Sequence, residues 1–216
     1  MPADVPPEDT PATPMLATLR RLTSLGRLEL SGMLGDDVVV GALRHAKGLG
    51  SLRHLAVGGW HINAGMARAM AEVDSLESLV IHAESVSPVS ALKAVGGLRQ
   101  LRHLVVTGSE LDDETLASWS RLTPLQSLEL SNQPLTARGL GVLRNFVQLE
   151  RLSLRDIRLS VEAMAPLGAL KQLRRLDLSE TGVADDHLEH LQSLQHLQRL
   201  DLRGTAVSDG GLVHLK

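Results

Sequence analysis

The side chains of this 216-residue chain best suited to bind a metal or move a proton near neutral pH are its nine histidines. His187 and His190 stand three apart beside Glu189, a spacing that can aim two imidazoles from one helical turn at a cation. Both flank Leu188 and Leu191, which are expected to face inward, so the two rings are expected on the solvated side of a short helix with no metal. His54, His82 and His103 are the other constellation. His54 and His103 hold the same place in units two apart, ~10 Å at the spacing of paired strands, too far for the ~2 Å bonds of one shared ion. With no cysteine, the chain has no disulfide, thiolate zinc site or cysteine nucleophile, which excludes the thioester chemistry of cysteine-dependent ubiquitin ligases. The motifs GxSxG, GxxxxGKS/T, HExxH and a GxGxxG following a strand are missing. We expect no catalytic residue, no metal and no cofactor.

A repeat positions these residues. The pattern LxxLxxLxL, with other apolar residues substituting, returns along almost the whole chain. Its third apolar residue falls at Leu28, Leu55, Leu79, Leu104, Leu128, Leu152, Leu176 and Leu200, in steps of 24 to 27 residues. Two residues after each of these markers comes another apolar side chain, from Leu30 and Val57 to Leu178 and Leu202, the alternation of a short strand with one buried face. Seven after the marker runs a further apolar lane, Ile62 to Val207, broken only by Gly35. Eight after it stand Asp36, Asn63, Ser87, Asp112, Thr136, Ser160, Ala184 and Ser208. Seven of these eight are residue types that cap helix N-termini, so a short helix is expected to start there in each unit. Apolar residues twelve and fifteen after the marker, among them Leu116 and Trp119, Leu140 and Leu143, and Leu212 and Leu215, then put one helical face inward. No unit can bury its own apolar face, so the units must stack into a curved solenoid with parallel strands on the inside.

Units of the form LxxLxLxxTxVxDxxLxxL, cleanest in Leu176 to Leu191 and Leu200 to Leu215, resemble the bacterial type of leucine-rich repeat, and the resemblance covers roughly residues 16 to 216. It implies an α/β right-handed horseshoe whose concave parallel sheet has about eight short strands, with short helices on the convex side. The family's ladder position, usually Asn or Thr, holds Met33, Trp60, Glu84, Ser109, Gln133, Ile157, Thr181 and Thr205. Only the last two match well, so looser or more irregular turns are expected in the N-terminal half.

Aromatic residues make up 1% of the chain against 43% hydrophobic, which leaves the core to aliphatic layers. A formal net charge of -3 gives no overall attraction to nucleic acid or anionic membranes. No apolar run reaches the ~20 residues that span a bilayer. Met1 to Pro14 is proline-rich and acidic, lacks the pattern of a signal peptide, and is expected to be a disordered tail. A cytoplasmic protein is expected, with delivery into a host cell as the alternative. Met15 to Leu22 is expected to form a short helix that partly caps a domain covering residues 15 to 216. The end at Lys216 follows a complete unit without a polar cap, which points to a longer protein or to self-association through that end.

The residues beside and between the paired strand leucines face away from the core and are free to bind. In units two to four they are His54, Ala56, Val80, His82, His103, Val105 and Thr107, with Trp60 at the strand exit, an apolar patch in a polar rim that suits a protein interface. The competing reading is that valine simply suits a strand. Units six to eight present Arg151, Arg155, Arg175, Asp177, Arg199, Asp201 and Arg203, five positive charges against two negative ones. They suit an acidic loop or helix, or else pair among themselves across strands. A module that binds a protein partner through its concave face is the expected function. The recognition part of a larger regulator or effector, such as a GTPase regulator or ubiquitin ligase with catalysis elsewhere, is the alternative.

Overall fold

The computed structural model describes residues 21–32 and 35–215, with Trp60 by its backbone alone. Eight parallel strands form one sheet in chain order: β1 (Arg27–Leu30), β2 (His54–Asn63), β3 (Ser78–Ser87), β4 (His103–Thr107), β5 (Ser127–Glu129), β6 (Arg151–Ser153), β7 (Arg175–Asp177) and β8 (Arg199–Asp201). The marker leucines lie opposite one another at every step, from Leu28↔Leu55 to Leu176↔Leu200. This register follows from the repeat, because any slip would turn buried leucines outward. Each strand pairs with the next in sequence, and short helical stretches line the opposite layer, so the chain is a leucine-rich-repeat solenoid. Among the described residues, no helix is long and apolar enough to cross a membrane.

One continuous aliphatic core joins the layers, with Trp119 and Phe146 wholly buried in it. Leu43, Leu116, Leu140, Leu143, Met164, Leu167, Leu188 and Leu191 all point inward as their spacing requires. The last unit departs from this. Leu212 and Leu215 are 47% and 38% exposed, because only the preceding helical stretch packs against theirs. The Met1 to Pro14 segment lies outside the described residues. So does most of the expected helix over residues 15 to 22, of which Arg21 and Leu22 are not helical.

The turns of the N-terminal half are irregular, and in two units the irregularity takes the form of longer strands. Four residues after the marker the chain turns through left-handed backbone at Gly32, Gly108, Asn132, Asp156, Glu180 and Gly204. At Gly59 and Ala83 it stays extended, so β2 and β3 each run for ten residues and pair as far as His61↔Ser85 and Asn63↔Ser87. A turn exposes backbone groups that the ladder side chain must satisfy. With Trp60 and Glu84 in that position, the two backbones satisfy each other instead. Where the turn is made, the ladder is polar more often than the motif suggested. The Gln133 carbonyl accepts from Leu111 N–H at 2.7 Å, and its amide donates to the carbonyls of Val106 and Ser131. Thr181 and Thr205 donate to Leu178 and Leu202 at 2.6 Å each.

Capping is also less uniform than the lane of Ser, Thr, Asp and Asn implied. Asn63, Asp112 and Thr136 accept from N–H groups of the first turn. Ser160 occupies the cap position without such a bond, Asp36 is the first helical residue behind Gly35, and Ser87 precedes the cap residue Pro88. The helical stretches are short, several of them 3-10 turns, and their start shifts by a residue as each packs on its neighbour.

Candidate functional site

The pleat decides which residues the inner face offers. In β2 to β4, Ala56, Val80 and Val105 lie directly opposite one another, all half-buried, between buried leucine, valine and isoleucine neighbours that point to the core. Around this row His54 and His82 are exposed, and His103 and Thr107 are half-buried. Trp60 belongs to β2, and its side chain lies outside the description. His82 Nδ1 and Thr107 Oγ1 form a hydrogen bond of 2.8 Å across β3 and β4, which fixes that ring over the sheet. Next to it runs a shallow trough floored by Gly32, Gly58, Gly59 and Gly108, which the sequence reading did not single out. The paired glycines of β2, with no side chains to stand above the backbone, were the available signal.

The arginine zone is a second, polar hollow. Arg151, Arg175, Arg199 and Arg203 border it with Ser127, Glu129, Ser153, Asp177 and Asp201, while Arg155 is exposed and apart from it. Pairing across strands is not how its charges are arranged. Asp201 takes a two-pronged ion pair from Arg203 on its own chain segment, at 2.8 and 2.7 Å. Those hydrogen bonds hold the Asp201 carboxyl below its ordinary pKa and raise that of Arg203. Asp177 accepts from the backbone N–H and hydroxyl of Ser179 and from Ser153. Arg151 reaches over Ser127 to donate to His103 Nδ1 at 3.4 Å. Burial first, and then the charge of Arg151, push the His103 pKa down, so the ring stays neutral and can accept.

The histidine pair of the last helical turns is placed differently from expectation. His187 is buried, not solvated, and its Nε2–H donates to the carbonyl of Leu159 in the preceding unit at 3.2 Å. Its Nδ1 lies 2.7 Å from Asp186 Oδ1. His190 is half-buried, and among the described residues no three His, Asp or Glu side chains converge as metal ligands.

No family model matches the chain, and none of the curated proteins does. Solved structures do. An internalin C2 from Listeria monocytogenes superposes with a TM-score of 0.69 at 18% identity, over 95% of this chain and 90% of that one. An internalin (inlF) from the same organism gives 0.61 at 19% identity, over 93% and 68%. The plant peptide hormone receptor RGFR1, solved in complex with RGF2, gives 0.56 at 16% identity, over 86% of this chain and 29% of the receptor. These are leucine-rich-repeat proteins, and at such identities the likeness establishes the leucine-rich-repeat fold.

Proposed function

We propose that this chain is a protein-interaction module that binds its partner on the concave face, centred on Ala56, Val80 and Val105 and rimmed by His54, Trp60, His82, His103 and Thr107. The observation that carries this is the run of three apolar side chains, opposite one another on adjacent strands and only half-buried, on a sheet face that no helix among the described residues covers. Burying such a row is worth ~25 cal/mol per Å² of apolar surface, which favours a partner. Eight strands at ~4.8 Å make a face ~35 Å wide, enough for the ~800 Å² per side of a standard interface. Among proteins of similar fold, the hormone receptor was solved bound to RGF2 and TLR13 bound to ssRNA13. The patch holds no lysine or arginine, which favours the former kind of ligand there, since an RNA-binding face needs a positive excess.

The test is affinity capture with the immobilised chain, the partner being identified by mass spectrometry and the capture repeated with Val80→Asp/Val105→Asp. Both side chains are half-exposed, so the variant is expected to keep its circular dichroism and to lose the partner. A variant that captures the same protein as well as the parent does overturns the assignment of this patch.

A further inference from the structure

We propose that the arginine hollow of units six to eight is a second docking site, and that its occupant is an acidic peptide segment whose carboxylates align with Arg151, Arg175 and Arg199. The inference deepens the reading of the concave face as a docking surface and rests on it. The three arginines occupy one lane, opposite one another at the start of β6, β7 and β8. The carboxylates nearby do not neutralise them by contact. Asp201 is gripped by Arg203, and Asp177 by Ser179 and Ser153. Arg151 donates only to a neutral imidazole, and among the described residues Arg175 and Arg199 form no hydrogen bond or ion pair through their side chains. Exposed guanidiniums with unused donors, held in a row by strand register, are a receptor for carboxylates, which they bind in two-pronged fashion. The small Ser127 and Ser153 at the border leave room for an approaching chain.

The neighbouring lane selects among anions. Glu129, Asp177 and Asp201 lie one lane over, ~6.7 Å along the strands, and repel a continuous polyphosphate laid across the sheet. The lanes of units six to eight also contain no aromatic side chain on which a base could stack. A peptide can present acids to one lane and neutral or basic residues to the next. Carboxylates at i and i+4 of a helix stand ~5–6 Å apart, close to the ~4.8 Å between strands.

The probe is a fluorescein-labelled 15-residue peptide of Ala and Gln with Glu at every fourth position, followed by anisotropy at low salt. The same peptide with Gln for Glu and a single-stranded RNA 13-mer are run beside it. Expected is saturable binding of the Glu peptide alone, weakened at least tenfold by Arg175→Ala/Arg199→Ala and unchanged by Arg138→Ala/Arg144→Ala on the helical side. Binding of the Gln peptide with equal affinity, tighter binding of the RNA, no binding of the Glu peptide, or an unaltered affinity in the Arg175/Arg199 variant each overturns the proposal. Failure here, with capture through Val80 and Val105 intact, leaves the apolar docking surface standing; loss of that capture site alone leaves this one.

Discussion

The Asp185 carboxylate accepts hydrogen bonds from both the backbone N–H and the hydroxyl of Ser208, at 2.7 and 2.6 Å. Asp113 does the same for Thr136, three units earlier in the stack. In each case a residue at the start of one helical stretch secures the start of the next. Neighbouring coils are thus tied by polar contacts outside the core, where a solenoid depends on nearest-neighbour terms. The Ser208 hydrogen bonds depress the Asp185 pKa below the ordinary 3.8. A depressed carboxylate stabilises the fold above its unfolded pKa, and that contribution is lost as pH falls through the lower folded value. Asp185→Asn is therefore expected to lower the Tm at pH 7, with the gap to the parent closing below pH ~4. A gap of constant size from pH 7 to pH 3 would mean that the carboxylate's charge is not what holds Ser208.

The same tie explains a glycine. A Cβ on Gly139 would lie 2.2 Å from Asp113 Oδ1 and 2.8 Å from its Cα, whereas a Cβ on Gly141 meets nothing nearer than the tip of Arg144 at 3.6 Å. Gly139→Ala should cost about 1–3 kcal/mol by overpacking. Gly141→Ala, on helical backbone, should be neutral or stabilising by up to ~1 kcal/mol. Urea denaturation of the two variants gives the comparison, and equal midpoints would contradict the packing described.

On the concave face, His103 supplies a titration test. Its folded pKa is lowered, by burial and then by Arg151, so the folded state resists protonation more than the unfolded one. This contribution to stability is complete above the unfolded pKa of ~6.5 and is lost as pH falls from there through the folded value. Arg151→Ala should raise the His103 pKa toward 6.5, read by NMR titration of the ring resonances. An unmoved pKa would show that Arg151 takes no part in the shift, leaving it to burial and the charges of His54 and Arg102.

Period, register and the core lanes were legible because every 24-residue unit meets a neighbour like itself, so Leu128 and Leu152 need the same environment. Strand length was not. Whether the chain turns at Gly59 or runs on to Asn63 depends on a polar group at Trp60 that is missing, a question of backbone satisfaction that apolar spacing does not ask. The burial of His187 is not legible because the lane eleven after the marker varies in residue type, so apolar spacing does not mark it. Val39, Met66, Thr115 and Ala163 occupy it and are buried, and so is His187. The lanes of the candidate site were visible too, but not the partnerships within them. Arg203 on Asp201 and Arg151 on His103 depend on how long side chains fold back across the sheet.

His187 joins two units through one buried hydrogen bond, so its removal should be felt locally. His187→Leu leaves the Leu159 carbonyl without its side-chain donor and should cost about 1–3 kcal/mol. The parent should also show slower amide exchange around Leu159 than the variant. Identical exchange in the two proteins would show that the bond is not maintained in solution.

Glu180, like Glu110 at φ 52°, is a glutamate whose backbone does not suit its side chain, and it alone of the two holds the turn position four after the marker. Its φ of 58° is left-handed, and the equivalent residues Gly32, Gly108 and Gly204 are glycines, while Asn132 and Asp156 belong to types that tolerate this region. A longer side chain there costs about 1–2 kcal/mol. Glycine removes that strain but loses more chain entropy on folding, ~0.5–1 kcal/mol. The difference favours Glu180→Gly by up to ~1.5 kcal/mol, or ~3–6 °C in Tm for a domain of this size. Asn132→Gly should gain less, because asparagine is less strained at the same φ. Gly204→Ala, forced onto a φ of 68°, should destabilise. Calorimetry of the three variants orders them, and a Glu180→Gly variant that melts below the parent would show that the carboxylate contributes more through its field on Arg203 than its backbone loses.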